Sequence, residues 1–111
     1  MESQRQYKVA RLLHKEMGDI FEVDMRRLFP GIMITITKVN VTKDLSLARF
    51  NLSVFALKGK KPEMDEIREH IPEFRYKLGN RIAKQVRIIP QVEFYEDDSL
   101  DYIENIEKLL K

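Results

Sequence analysis

The sequence lacks cysteine, an apolar N-terminal stretch and any long apolar run. Without cysteine the chain can form neither a disulfide scaffold nor a zinc site with thiolate ligands, which agrees with a reducing compartment. The start, MESQRQYKVARLL, has no secretory signal pattern, and no apolar run approaches the roughly 18 residues of a membrane span. These absences predict a cytoplasmic protein with no membrane partner.

Size and charge leave the function open. A chain of 111 residues forms a single domain, here residues 1–111, since half of it would bury too small a core. The net charge is only +2, but 34% of the residues are charged. The distribution of charge is therefore more informative than its sum, which neither requires nor excludes nucleic acid.

The first predicted element is an amphipathic helix from Ser3 to about Leu28. Apolar residues recur in it at spacings of three and four, the pattern of one buried helix face. They are Val9, Leu12, Leu13, Met17, Ile20 and Phe21. The Phe-Pro-Gly stretch at 29–31 ends the helix, because proline cannot continue the hydrogen-bond ladder.

Two β-rich stretches, IMITITKVNV and LARFNLSVFA, predict an antiparallel hairpin joined by the turn TKDLS. The second strand alternates regularly, so Phe50 and Val54 should face the helices. The first strand changes parity, which predicts a bulge or a change of covered face near Thr37.

The second half predicts two helical regions separated by a strand. Pro62 suits the first turn of a helix whose apolar stripe continues to Val86, and Pro72 should kink it or divide it in two. PQVEFYE predicts a third strand, and a last, acidic helix begins at about Asp98. The fold class is therefore α+β, α-β-β-α(kink)α-β plus a C-terminal helix, with helices packed on one face of a three-stranded sheet.

Basic residues form several groups, and one of them predicts a stripe on a helix. The helix should continue to Arg87, so that Lys77, Arg81 and Lys84 fall within about 60° of one another, whereas Arg75 lies on another flank. Such stripes are often merely solvated, but several basic groups on one small domain favour a polyanion such as RNA. The candidate RNA-binding residues are Arg5, Lys8, Arg11, Lys15, Lys58, Lys60, Lys61, Arg75, Lys77, Arg81, Lys84 and Arg87.

The order of motifs resembles the ribosome-binding factor A family of bacterial small-subunit assembly factors. The resemblance rests on the basic first helix, ITKVNVTKDLSLARFNLSVF with its DL-x-x-A turn, R-x-x-L-G at Arg75–Gly79, and RIIPQVEF followed by DDS. It covers nearly the whole chain. No single motif is specific, but their order and spacing are.

The resemblance implies a KH-like fold, related to type II KH domains, and a function without catalysis. Such a protein would bind free or immature 30S subunits at the 16S rRNA, support late maturation of that RNA, and matter most in the cold. It would be a monomer with no cofactor and no small-molecule substrate. Because the four glycines form no Gly-x-x-Gly loop, we expect contacts to the phosphates of a structured rRNA instead of reading of a free strand.

Two other hypotheses come from the residues. Glu96, Asp97 and Asp98 with a histidine, His14 or His70, could suggest an enzyme, but adjacent carboxylates at a helix start are typical of a cap and a solvated turn. Neither histidine has a partner at metal-ligand spacing. The better alternative is a protein-interaction module that binds a basic ribosomal protein through the acidic last helix.

Four aromatic residues could stack on bases, although aromatics in a small domain usually belong to the core or its edge. The candidates are Phe55, Tyr76, Tyr95 and Tyr102.

Overall fold

The structure, a computed structural model, describes residues 3–97. Along the chain it contains α1 (Gln4–Leu28), β1 (Ile32–Val41), β2 (Leu47–Ala56), α2 (Met64–Arg68), α3 (Ile71–Ile82) and β3 (Gln91–Glu96). This order confirms the predicted α-β-β-α(kink)α-β arrangement. The predicted last helix, from about Asp98, lies outside the described residues.

Helix α1 starts and stops at sequence-encoded caps. Ser3 is the N-cap: its hydroxyl accepts a hydrogen bond from the Gln6 N–H at 3.1 Å, and the Gln6 side chain accepts one from the Ser3 N–H at 2.9 Å. This reciprocal pair satisfies two main-chain donors that the first turn leaves free. At the other end the Phe29 N–H donates to the Met25 carbonyl, and the helix ends at Leu28. The predicted bounds are confirmed.

The three strands form one sheet in the order β1-β2-β3. Strands β1 and β2 are antiparallel, as the hairpin predicted, and β3 pairs with β2 in parallel. The parallel pairing needs a crossover, which α2 and α3 provide. Consequently β1 is an edge strand, and α1 packs beside it: the Gln6 side chain donates to the Val41 carbonyl at 2.9 Å.

The predicted bulge lies at Thr37. Ile36 pairs with Leu52 and Lys38 with Asn51, so Thr37 is the extra residue. Its hydroxyl oxygen lies 3.2 Å from the Asn51 carbonyl and 2.6 Å from the Asp97 carboxylate, to which it donates its one proton. Beyond the bulge the inward parity changes, and Lys38 is exposed.

A cluster of phenylalanine rings joins the helices to the sheet. Phe21 of α1 lies 5.1 Å from Phe74 of α3 and 5.7 Å from Phe94 of β3, between ring centroids. Phe50 of β2 meets Phe94 edge to face at 6.0 Å and is 0% exposed. Phe50 and Val54 are both buried on the helix side, which confirms the predicted register.

The helical region after β2 is broken, as predicted, but its first bound is shifted. Helix α2 begins at Met64 instead of at Pro62. The break lies at 69–70, and Pro72 follows in the first turn of α3. Proline is accepted there because first-turn N–H groups have no partner within the helix.

The prediction that this helical region extends to Arg87 is wrong. Helix α3 ends at Ile82, and residues 83–85 form a turn in which the Gln85 N–H donates to the Ile82 carbonyl at 2.8 Å. Pro90 disfavours helical backbone in the residue before it, and the chain has to turn back to enter β3. Val86 still packs against the core, so the apolar periodicity outlasts the helix.

Candidate nucleic-acid interface

The predicted stripe on α3 faces α1, and Lys77 is its best-paired member. The Lys77 ammonium lies 2.6 Å from a carboxylate oxygen of Asp24 and 3.5 Å from Glu73. Asp24 is 6% exposed, and Arg27 also approaches it, at 4.0 Å. The hydrogen bond to Asp24 raises the pKa of Lys77, a change that burial of the ammonium partly opposes. The charge of Lys77 is therefore compensated inside the fold.

Arg81 makes a second ionic contact between the same helices. Its guanidinium lies 3.2 Å from Glu16 and 3.6 Å from Asp19, and Lys15 lies 3.3 Å from Glu16. Hydrogen bonds from Lys15 and then Arg81 lower the pKa of the Glu16 carboxyl group. Two cations share two carboxylates here, so this contact between α1 and α3 carries little net charge. Lys84, the third member of the predicted stripe, lies past the end of α3 and is exposed.

Arg75 acts as a tether between α3 and the entrance of β3. Its Nε donates to the Pro90 carbonyl and its Nη2 to the Ile89 carbonyl, both at 2.9 Å. These carbonyls precede the strand and have no strand partner of their own in the register of β3, which begins at Gln91. The planar guanidinium suits two adjacent acceptors.

The three lysines after β2 lie far from the start of α1. Lys58 and Lys60 are exposed, whereas Lys61 pairs with Glu96. Strand β2 has 10 residues, so this loop is separated from the β1–β2 turn by about 33 Å at 3.3 Å per residue. The start of α1 lies near that turn, since Gln6 contacts Val41.

Three predicted cations remain exposed on the first half of α1: Arg5, Lys8 and Arg11, called here the α1 cations. Within residues 3–97 none of the three forms an ion pair. Arg5 lines a cavity of about 220 Å³ together with Arg87, so the structure brings the first helix and the segment before β3 together. Arg11 lies over the ring of Tyr7, 5.8 Å from its centroid.

Lys38 extends this surface, and sequence reasoning missed it. The bulge at Thr37 leaves Lys38 exposed beside Arg11, and the two residues line the same cleft between α1 and β1. The parity change that predicted the bulge was the available signal. Six of the exposed cations at this end of the molecule are called here the N-terminal basic surface: Arg5, Lys8, Arg11, Lys38, Lys84 and Arg87.

The residues of the enzyme hypothesis have structural partners. The His14 ring nitrogen Nε2 lies 3.2 Å from the Ile36 carbonyl, and His70 packs edge to face on Phe29. The Asp97 carboxylate accepts a hydrogen bond from Thr37 at 2.6 Å. Across residues 3–97 no three His, Asp or Glu side chains are placed to hold a metal ion.

Among the aromatic candidates, Tyr76 is the most exposed, at 72%, and Phe55 and Tyr95 are also exposed. The expectation that they belong to the core or its edge is therefore wrong for these three. The Tyr95 hydroxyl donates to Glu93 at 2.7 Å, a contact that raises the pKa of Tyr95. Asp98 and Tyr102 lie outside the described residues. No helix in the described range is both long enough and apolar enough to cross a membrane.

Comparison with known proteins identifies the family. The family model described as ribosome-binding factor A matches residues 5–110. The chain belongs to the ribosome-binding factor A family. Ribosome-binding factor A of Cytophaga hutchinsonii is 48% identical over 110 residues, covering 99% of this chain and 83% of the relative. That of Christiangramia forsetii is 39% identical over 111 residues, covering 99% and 85%.

Solved structures of ribosome-binding factor A share the fold. The crystal structure of the Thermus thermophilus protein superposes with a TM-score of 0.62 at 19% identity, covering 82% of this chain and 94% of that one. A homology model of the Thermus thermophilus protein, fitted into the cryo-EM map of a 30S–RbfA complex, gives 0.53 at 20% identity, with coverage of 88% and 97%. The α+β, KH-like architecture predicted from the sequence is confirmed.

Proposed function

We propose that this protein binds free or immature 30S ribosomal subunits, contacts 16S rRNA and supports its late maturation, without catalysing a reaction. Membership of the ribosome-binding factor A family supports the ribosomal partner, and the Thermus thermophilus relative has been fitted into a 30S complex. A location in the cytoplasm, where subunits assemble, and a monomeric state belong to the same proposal. The family match to residue 110 and the shared core of residues 3–97 support one domain over 1–111.

The N-terminal basic surface is the observation that carries the RNA contact. Its cations are exposed; Arg5 of α1 lines one cavity with Arg87, and Arg11 lines another with Lys38 at the bulge of β1. Lys77 and Arg81 instead neutralise acids of α1, and Arg75 holds two carbonyls. Phosphates attract cations that are not already paired, because a new contact then breaks no existing ion pair. The RNA contact therefore centres on the first half of α1, and not on α3.

The junction between α2 and α3 supports recognition of RNA shape. KH domains that hold a single strand clamp it with a Gly-x-x-Gly loop between these helices. Here the junction consists of Glu69 and His70, with Glu73 one turn further. Carboxylates repel phosphates, so this junction is a poor clamp. Contacts to the phosphates of a folded rRNA region fit the exposed cations better.

A sedimentation experiment with purified ribosomal subunits tests the proposal. The protein should travel with 30S subunits, less with 50S subunits, and should detach as salt is raised, since phosphate contacts release counterions. Changing the three α1 cations to Gln should reduce the bound fraction without unfolding the protein, because exposed changes alter stability by less than about 0.5 kcal/mol. Equal binding to both subunits would contradict the proposal.

The same experiment decides the alternative of a protein contact through the acidic segment that starts at Asp98. That contact would survive neutralisation of the α1 cations. It would instead weaken when Glu104 and Glu107 are changed to Gln.

A further inference from the structure

The cleft between α1 and the outer edge of β1 combines an aromatic ring, two cations and an open strand edge. It has a volume of about 240 Å³, below the roughly 300–1,000 Å³ of sites for drug-sized ligands. Tyr7, Arg11 and His14 line it from the helix, and Lys38 and Asn40 from the strand. The cleft has the size of one flat group, and its two cations suit an anion attached to that group.

Tyr7 offers a stacking platform. It is 54% exposed, although it belongs to a long helix whose other apolar side chains mostly face the core. The Arg11 guanidinium lies 5.8 Å from the centre of the ring. Arginine and tyrosine both stack on nucleobases, and a guanidinium over the ring limits the motion of both side chains.

The edge of β1 offers main-chain groups at the same place. The Val41 carbonyl accepts a hydrogen bond from Gln6 on α1, so it points away from β2. Main-chain groups alternate along a strand, so the N–H and C=O of Val39 also point away from β2, towards the cleft that Val39 lines. One donor and one acceptor side by side match the polar edge of a base. His14 is fixed next to them by its contact with the Ile36 carbonyl at 3.2 Å.

We propose that this cleft binds one unpaired nucleotide of the RNA, with its base stacked on Tyr7 and its phosphates between Arg11 and Lys38. This inference rests on the proposed function and deepens it, since it adds recognition of an extruded base to contacts with phosphates. A uniformly paired RNA helix has no free base to place in this cleft, because its bases are stacked on one another. The protein would therefore prefer a folded RNA that has an extruded base at this point.

Two RNA hairpins of equal length test the proposal, one fully paired and one with a single bulged 2-aminopurine. The full-length protein should bind the bulged hairpin at least about fivefold more tightly, as expected for stacking of one base on an aromatic ring. The 2-aminopurine fluorescence should fall on binding, because stacking quenches it. Tyr7→Leu should abolish both effects, and Tyr7→Phe should keep them.

The outcomes separate this proposal from the RNA contact on which it rests. If parent and Tyr7→Leu bind both hairpins equally and lose affinity steeply with salt, the RNA contact stands and the nucleotide site is overturned. If neither hairpin binds and 30S subunits do not either, the proposed function itself fails. If Tyr7→Leu weakens binding to 30S subunits but to neither hairpin, the cleft receives a ribosomal protein, which also overturns the proposal.

Discussion

At the residue scale, Phe50 shows how alternation along β2 becomes core packing. It is 0% exposed and meets Phe94 edge to face, whereas Phe55 on the same strand is 40% exposed. Phe50→Ala should lower the free energy of unfolding by about 3 to 5 kcal/mol, because it leaves a cavity. Urea unfolding followed by circular dichroism measures it. Phe55→Ala is the matched control and should change stability little; a similar loss in both would mean that the register is wrong.

The ion pair between Lys77 and Asp24 predicts how stability depends on pH. The bond to Asp24 raises the folded-state pKa of Lys77 above the ordinary value of 10.5, so the pair stabilises the fold fully below that value and progressively less as pH rises through the raised pKa. Lys77→Gln should therefore be less stable than the parent at neutral pH, and the difference should shrink at strongly alkaline pH. Urea titrations from pH 7 upward measure it. A difference independent of pH would show that the ion pair is not its source.

The burial of Phe50 follows from the sequence, but the buried ionic partner of Lys77 does not. Alternation placed Phe50 correctly because strand geometry is local. The partner of Lys77 is Asp24, on another helix, and depends on how α1 and α3 pack. The local sequence shows only that Lys77 has an acid, Glu73, four residues before it, whereas Lys8 has none at that spacing and remains exposed.

At the element scale, the sequence marks both ends of α1 but neither end of the helical region after β2. The start of α1 at Ser3 and the irregularity of β1 near Thr37 were both predicted, since each depends on neighbouring residues. The end of α3 was placed too late, because Val86 keeps the apolar spacing of a helix after the backbone has turned. The predicted stripe of Lys77, Arg81 and Lys84 required that longer helix, so Lys84 does not belong to it.

Arg75 connects two elements, and its role can be separated from RNA binding. Lysine keeps the charge but not the planar pair of donors, so Arg75→Lys should lower the free energy of unfolding by about 1 to 3 kcal/mol. Arg75→Gln should cost a similar amount. Thermal and urea unfolding measure both, and RNA affinity of the folded variants should be unchanged. Full stability of Arg75→Lys with weaker RNA binding would assign Arg75 to the interface.

At the scale of the whole molecule, exposed cations collect at two ends. Arg5, Lys8 and Arg11 lie at the start of α1, and Lys58 and Lys60 follow the far end of β2. The sequence alone did not separate the two groups, because the distance between them depends on the direction in which the strands run. In the proposed function, the end at the start of α1 contacts the RNA.

The salt dependence of binding to 16S rRNA in 30S subunits tests that claim most directly. One triple variant changes the α1 cations to Gln. Its control changes Arg26, Lys58 and Lys60, three exposed cations at the other end, to Gln, and so has the same net charge as the first variant. The slope of log affinity against log salt should become shallower by about 2 to 3 for the first variant, roughly one unit per lost phosphate contact, and stay near the parent value for the control. Equal slopes in the two variants, or a larger change in the control, would contradict the account.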